Sequence, residues 1–302
     1  MTTDTHQDAE PMEAQKRQAS GWFRELRDRI VAAFERFEDE TPEAVGGGAP
    51  PARFELRETR RGADGAGDGD GGGGLMSVMR GGRAFEKVGV NVSTVHGSLG
   101  EAARRAMAAR GVPGIEVDPR FWASGISLVA HMRNPHVPAV HMNTRMFWTP
   151  SAWWFGGGAD LNPALPREED TAHFHGALRR ALAPWGVYER YARWADEYFY
   201  IPHRGRARGV GGVFYDDLSG VWEDDFALTR AVGEAFLPAI LPIWERRREE
   251  PWSEEDREAQ LIHRGLYAEY NLVYDRGTKF GLATGHDPDA VLMSLPPLAK
   301  WA

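Results

Sequence analysis

Residues 124–148 (SGISLVAHMRNPHVPAVHMNTRMFW) contain two runs in which apolar and polar positions alternate. Alternation with a period of two is typical of half-buried β-strands, and Asn134-Pro135 and Pro138 indicate a connecting loop. One face of the predicted pair is apolar, although Thr144 interrupts it. The opposite face carries two histidines, two arginines, a serine and an asparagine: Ser127, His131, Arg133, His141, Asn143 and Arg145.

The side chains of this polar face favour a particular chemistry over ordinary solvation. A loop centred near His136 predicts that His131 lies opposite His141 and that Ser127 lies opposite Arg145. Histidine and arginine together suit a site that holds an anion and moves a proton, whereas a solvated face would favour Lys, Glu and Thr. A polar outer face with chance histidines is an equally weighted interpretation of this stretch alone.

The rest of the chain predicts an α+β fold. Strands are expected at residues 52–59, 75–82, 85–97 and 265–277, the last pairing with 278–285 as a hairpin. Helices are expected at residues 20–38, 100–110, 166–182, 187–198, 223–249 (with kinks at Pro238 and Pro242) and 253–264. Because the helices do not alternate strictly with the strands, we expect one large, mostly antiparallel sheet with helices on both sides.

The domain organisation follows from composition along the chain. Residues 1–18 are polar and are expected to be disordered, and residues 19–302 are expected to form a single catalytic domain. Within that domain, residues 62–74 (GADGAGDGDGGGG) are expected to be a flexible loop.

Bulk composition excludes several classes of protein. The net charge of -8 argues against a general nucleic-acid-binding protein, and the chain has no cysteine for disulfides, thiolate catalysis or iron–sulfur ligation. No run has the length of a membrane-spanning segment, and the polar N-terminus has no secretory signal. We therefore expect a cytoplasmic protein.

Two further stretches extend the candidate site. Asp160 follows three glycines that allow close backbone approach, and Arg208 belongs to a basic loop beside further glycines. Arginines with one isolated aspartate suit a ligand that has several carboxylates and a few N–H donors, and the many aromatic residues suit a flat ligand. The residues alone predict a pocket for a polycarboxylic, ring-like substrate, with histidine as the acid–base group.

From about Phe85 to Trp301 the chain resembles the oxygen-dependent coproporphyrinogen III oxidases. The matching stretches, in order, include FEKVGVNVSTVHG, GISLVAHMRNPHVPAVHMNTR, WWFGGGADLNP, YFYIPHRGRARGVGGVFYDDL and EYNLVYDRGTKFGLATG. The resemblance implies oxidative decarboxylation of two propionates of coproporphyrinogen III to vinyl groups, giving protoporphyrinogen IX with O2 as oxidant. It also implies a homodimer, with residues 265–285 at the interface.

The resemblance also implies site residues. Its implied catalytic residues are His141 as proton donor, Asp160 as acceptor of pyrrole N–H bonds, and Arg145. The implied substrate contacts are Ser127, Asn143, Thr144, Arg145, Asp160, Arg208, Arg276, Gly285, His286 and Asp287. The resemblance further associates a divalent metal such as manganese with four histidines: His131, His141, His175 and His203.

This sequence departs from the family pattern at Gly285-His286-Asp287, where the family pattern has an arginine that binds a propionate. Three hypotheses follow. The first is an enzyme that needs only O2 as co-substrate and no cofactor. The second is a metal-dependent enzyme with a histidine centre, and the third is a non-catalytic tetrapyrrole-binding protein on the same fold.

Overall fold

A seven-stranded antiparallel sheet lies at the centre of the chain, as seen in a computed structural model that describes residues 9–61, 71–283 and 286–301. Its strands are Glu55–Arg60 (β1), Gly71–Arg80 (β2), Phe85–Ser98 (β3), Arg120–Met132 (β4), Ala139–Thr149 (β5), Ala152–Asn162 (β6) and Gly212–Leu218 (β9). They follow one another in chain order across the sheet. Tyr200–Ile201 (β7) and Arg206–Ala207 (β8) form a separate pair.

Helices lie on both sides of this sheet, which confirms the predicted α+β class. Within the described residues they are Ala9–Glu40 (α1), Glu101–Ala109 (α2), Glu168–Leu182 (α3), Tyr188–Tyr198 (α4), Trp222–Arg247 (α5), Glu254–Val273 (α6), Arg276–Ala283 (α7) and Pro288–Val291 (α8). Helices α1, α3 and α5 cover one face, which we call the core face. The opposite face, which carries Ser127, His141 and Arg145, is called the polar face.

The apolar stripe of α1 explains why the core face is closed. Leu26, Ile30 and Phe34 recur at helical spacing and are fully or almost fully buried against the sheet. The Phe34 ring lies 5.3 Å from the ring of Phe85 and 5.2 Å from that of Trp244. This packing turns the apolar side of β3, β4 and β5 away from water and leaves the polar face for chemistry.

Helix α5 is the one helix in the described ranges that is long and apolar enough to cross a membrane by length and composition. Half of its apolar segment is buried inside the fold, with Phe236, Ile240 and Trp244 in the core. That degree of burial is typical of a core helix. It continues as one helix through Pro238 and Pro242.

The prediction of a strand at residues 265–277 with a hairpin to 285 was wrong, because α6 runs to Val273 and α7 follows. Alternating aromatic residues imitated a strand, but the buried positions Arg264, Tyr267, Ala268 and Asn271 follow the helical period. Gly265 does not end the helix. A side chain there would collide with the main-chain oxygen of Lys300, so this glycine allows close backbone packing.

Two other expectations need correction. Helix α1 begins at Ala9, so the second half of the segment expected to be disordered is helical. Strand β2 begins at Gly71, so residues 71–74 are strand and not loop, while residues 62–70 lie outside the described ranges. A side chain on Gly73 would collide with the Thr59 carbonyl oxygen, which shows why glycine suits the crowded pairing with β1.

Candidate active site

The polar face brings together side chains from three adjacent strands. Ser127 of β4 lies opposite Asn143 of β5, and His141 of β5 lies opposite Asp160 of β6. Arg145 follows Asn143 on the same face of β5, because side chains repeat with a period of two along a strand. Directly opposed residues have neighbouring side chains. The structure thus unites Ser127, Asn143, His141, Arg145 and Asp160, as the sequence predicted.

The predicted register between β4 and β5 was wrong by two residues. His141 lies opposite Val129 and not opposite His131, and Arg145 lies opposite Gly125. The loop between the strands is centred one residue earlier than expected, which moves every partner by two. A shift of two residues keeps each side chain on its face, so the face was predicted correctly while the partners were not.

Thr144 does not join this group. It lies on the core face, is fully buried, and its hydroxyl has no hydrogen-bond partner among the described residues. The substrate contact that the resemblance implies for Thr144 is therefore not available to its side chain in this fold.

His141 is held in one tautomer by its neighbours. Its Nδ1 lies 2.7 Å from Oδ1 of Asp160, and its Nε2 lies 3.1 Å from Nδ2 of Asn143. A carboxylate accepts and an amide nitrogen donates, so Nδ1 carries the proton and Nε2 offers its lone pair. The His141 side chain is 14% exposed. A substrate group that displaces the Asn143 amide would find a proton acceptor at Nε2.

Asp160 is a buried carboxylate whose oxygens are fully occupied. Besides the hydrogen bond from the His141 ring, they accept one from Asn162 Nδ2 at 2.6 Å and two from Arg208 Nη2, at 2.8 and 2.9 Å. Burial acts to raise the pKa of Asp160, but the charge of Arg208 and the His141 hydrogen bond outweigh it and lower the pKa. The carboxylate is therefore ionised, and it lies buried on the polar face behind the more exposed His141.

Arg208 balances this buried charge from an aromatic cage. Its guanidinium carbon lies 4.4 Å from the ring centre of Phe199, 4.6 Å from that of Tyr267 and 4.7 Å from that of Tyr270. Only 1% of the residue is exposed. Burial acts to lower its pKa, yet the charge of Asp160 outweighs burial and raises the pKa. Arg208 thus stabilises Asp160 and cannot contact a ligand directly.

Arg145 occupies the accessible end of the same chain of hydrogen bonds. Its Nη1 donates to Oδ1 of Asn143 at 3.0 Å, and its Nη2 donates to Oδ1 of Asp216 at 2.6 Å. The other carboxylate oxygen of Asp216 lies 2.7 Å from Nη2 of Arg110. The Arg145 side chain is 36% exposed, so it keeps N–H groups for an anionic ligand.

Glycine in β6 makes room for this arrangement. A side chain on Gly156 would lie 2.5 Å from Oδ1 of Asp216 and 3.0 Å from Nη2 of Arg145. The first distance is too short for a carbon atom and the second is tighter than ordinary contact, so the ion pair lies directly over the glycine backbone. The prediction that this glycine run allows close approach to another group is confirmed at Gly156.

The four histidines predicted as metal ligands do not converge. His131 Nε2 lies 2.9 Å from the Ser294 carbonyl oxygen, and burial lowers its pKa to about 3. His175 bridges the Tyr188 hydroxyl and the Val210 carbonyl. In the part of the chain that the structure describes, no group of three or more His, Asp or Glu side chains could hold a metal ion.

His203 is equally committed elsewhere. Its Nδ1 lies 2.7 Å from the Tyr274 hydroxyl and its Nε2 lies 2.7 Å from a Glu269 carboxylate oxygen. These contacts attach the loop that carries Arg204, Arg206 and Arg208 to α6. The residues therefore do not fit the predicted four-histidine centre.

Two of the C-terminal candidates, Arg276 and Asp287, contact different parts of the fold. Arg276 is exposed, and its guanidinium stacks 4.9 Å from the ring centre of Tyr198. Asp287 accepts two hydrogen bonds from the first turn of α8 and forms a two-point ion pair with Arg57. Asp287 thus anchors α8 to β1.

His286, another of the C-terminal candidates, lies beside α7. Burial lowers the pKa of His286, and its ring lies 6.4 Å from that of Phe280. Gly285 lies outside the described residues.

Three residues that contact this centre were not predicted from the sequence: Arg110, Asn162 and Asp216. Asn162 lies two residues after Asp160 in β6, so the strand period was a usable signal, although the proline that follows favoured a turn. Asp216 shares the polar face of β9 with Phe214, but FYDDL does not alternate between apolar and polar residues, so its pattern gave no signal. Arg110 had none, because it ends a separate helix and reaches the site only through the fold.

Comparison with known proteins places the chain among relatives of one kind. A family model described as coproporphyrinogen III oxidase matches residues 18–302. The oxygen-dependent coproporphyrinogen-III oxidase of Rickettsia bellii (strain RML369-C) is 49% identical over 286 residues, which cover 94% of this chain and 97% of that protein. The protein of the same name from Rickettsia peacockii (strain Rustic) is 46% identical over 285 residues, covering 93% and 96%.

Proposed function

The chain belongs to the coproporphyrinogen III oxidase family, and from that premise we propose that it converts two propionates of coproporphyrinogen III to vinyl groups. The oxidant is O2 and the product is protoporphyrinogen IX, an intermediate of haem biosynthesis. Each conversion releases one carbon dioxide and transfers two electrons to O2, which with two protons gives hydrogen peroxide. The observation that carries this proposal is the hydrogen-bonded chain from Asp160 through His141 and Asn143 to Arg145.

His141 is the proton-transferring group in this proposal. Asp160 accepts a hydrogen bond from Nδ1–H, which fixes the ring and leaves the Nε2 lone pair able to take a substrate proton in place of the Asn143 hydrogen bond. The Asp160 carboxylate also stabilises the imidazolium that forms when Nε2 is protonated. Asp160 is therefore a positioning residue that acts through His141, because its oxygens are already occupied by protein donors.

Arg145, Asn143 and Ser127 bind and orient the substrate in this proposal. A partly exposed guanidinium on a rigid strand suits a propionate carboxylate, which it can hold through two N–H donors. Ser127 lies beside Asn143 across the strand pair and is partly exposed. Fixed placement of one propionate holds the macrocycle in one orientation on the polar face.

A single comparison tests the proposal: purified protein is incubated with coproporphyrinogen III in air and under nitrogen. We expect carbon dioxide release and vinyl formation in air and neither under nitrogen. Tight binding without carbon dioxide release in air would favour the non-catalytic binding protein. Activity that is lost on chelation and restored by manganese would favour the metal-dependent enzyme.

We also propose that the protein forms a homodimer through the end of α6 and through α7. Leu272, Val273 and Leu282 are 51%, 46% and 45% exposed, which is unusual for large apolar side chains clustered on neighbouring helices. Light scattering of the intact protein and of a Leu272→Asp variant tests this. A wild-type monomer at micromolar concentration would refute it. The cytoplasmic location stays a prediction.

A further inference from the structure

We propose that Arg110 is a positioning residue that tunes the carboxylate-binding strength of Arg145 through Asp216. This inference rests on the proposed function, since it concerns the same substrate carboxylate. The three side chains form a linear triad in which one carboxylate bridges two guanidinium groups.

The carboxylate at the centre of the triad is buried, and the two guanidinium groups are partly exposed. The Asp216 side chain is 4% exposed, whereas those of Arg145 and Arg110 are 36% and 37% exposed. Asp216 gives Oδ1 to Arg145 at 2.6 Å and Oδ2 to Arg110 at 2.7 Å. Arg110 also donates to the Asp216 main-chain oxygen at 2.9 Å, so it contacts both the side chain and the backbone of β9.

The charge of the triad follows from this arrangement. Asp216 by itself would neutralise Arg145, and a neutral pair attracts an incoming carboxylate weakly. Arg110 shares the same carboxylate, so the triad keeps one net positive charge beside the polar face. The accessible guanidinium of Arg145 can then accept a substrate carboxylate without first separating from Asp216.

The fold places Arg110 for this role from outside the sheet. Arg110 is the C-cap residue of α2, and its guanidinium lies 5.2 Å from the ring centre of Trp154. Helix α2 has no fully buried residue, so its position depends on partly buried contacts and on this ion pair. The alternative is that Arg110 only attaches α2 to the sheet.

Binding measured under nitrogen separates these two roles, because coproporphyrinogen III cannot be oxidised there. We expect Arg110→Met to weaken binding about tenfold, because Asp216 then pairs with Arg145 alone and neutralises it, and Arg110→Lys to restore part of the affinity. In an Asp216→Asn background no carboxylate competes for the Arg145 guanidinium, so Arg110→Met should change the dissociation constant less than about twofold.

The matched control is Arg105→Met on the same helix, where Arg105 pairs only with exposed Glu101 among the described contacts. An Arg110→Met effect no larger than that of the control would overturn the inference. So would a tenfold effect that persists in the Asp216→Asn background, because Arg110 would then act on the ligand without Asp216. Wild-type protein that binds the substrate but releases no carbon dioxide in air contradicts the proposed function and leaves this binding test intact.

Discussion

Two arginine–aspartate pairs lie on the same face of the sheet and differ in what surrounds them. Arg208 and Asp160 are 1% and 2% exposed in their side chains and lie beneath α6. Arg145 and Asp216 form a pair of similar length, but the Arg145 side chain is 36% exposed. The chemistry of the two pairs is the same, so burial alone separates their roles.

The buried pair is committed to the fold and the accessible pair is available to a ligand. A buried charge must be paired. Removal of either partner leaves the other charge buried without compensation, which is strongly destabilising. Removal of the accessible Arg145 costs little stability, because the buried Asp216 keeps its ion pair with Arg110. Loss of the first pair should therefore affect stability and turnover together, and loss of the second should affect substrate binding alone.

The largest expected effect is that of Asp160→Ala, which leaves Arg208 buried without a counter-charge. We expect unfolding free energy to fall by about 3–5 kcal/mol and turnover to fall by at least about 100-fold. Denaturant unfolding and carbon dioxide release measure the two quantities. His175→Ala is the control for turnover, and near-normal turnover of the Asp160 variant would contradict the proposed centre.

His141→Gln tests whether turnover can be lost without stability. Glutamine can keep a hydrogen bond to Asp160 but cannot transfer a proton, so we expect turnover to fall about 100-fold or more with unfolding free energy changed by less than about 1.5 kcal/mol. Substrate affinity under nitrogen should remain close to that of wild type. Retained turnover would exclude His141 as the proton-transferring group.

Arg145→Met should weaken substrate binding by about 10- to 100-fold with little change in stability, because this partly exposed side chain donates charge-assisted hydrogen bonds. Thermal unfolding and binding under nitrogen check the two halves of this statement. A variant that loses stability but keeps its affinity would show that both ion pairs are structural, which would remove the difference between them.

His131→Gln tests how the stability of the protein depends on pH through one buried histidine. Burial lowers the His131 pKa from 6.5 to about 3, so between those values the unfolded chain binds a proton that the folded chain does not. Stability should fall as pH drops below 6.5, with a contribution of up to about 1.4 kcal/mol per pH unit. The variant should lose this slope, while His173→Gln, a partly exposed control, should keep it.

The smallest expected effect is that of Thr144→Val. The buried hydroxyl has no partner in the described part of the chain, so an isosteric methyl group should leave stability unchanged or slightly raised, within about 1 kcal/mol. Substrate affinity should not change. A loss of affinity above about threefold would show that Thr144 reaches the substrate by a rearrangement of β5.

The sequence predicted the fold class and the polar face because both depend on local periodicity. Alternation in β4 and β5 is sufficient to place Ser127, His141 and Arg145 on one side of the sheet. The same reasoning failed at α6, where aromatic residues alternate along a helix and imitate a strand. Periodicity over a short aromatic run does not separate the two structures unless burial is known.

Residue types and motifs in the sequence determined which groups are present, which face carries them and which family the chain resembles. Only the tertiary structure decided their partners. Register, the position of α6 over Arg208 and the approach of Arg110 from α2 depend on contacts between residues that are far apart in the chain. A period of two fixes the side of a strand on which a side chain lies, but burial and charge pairing are set by what packs against that side.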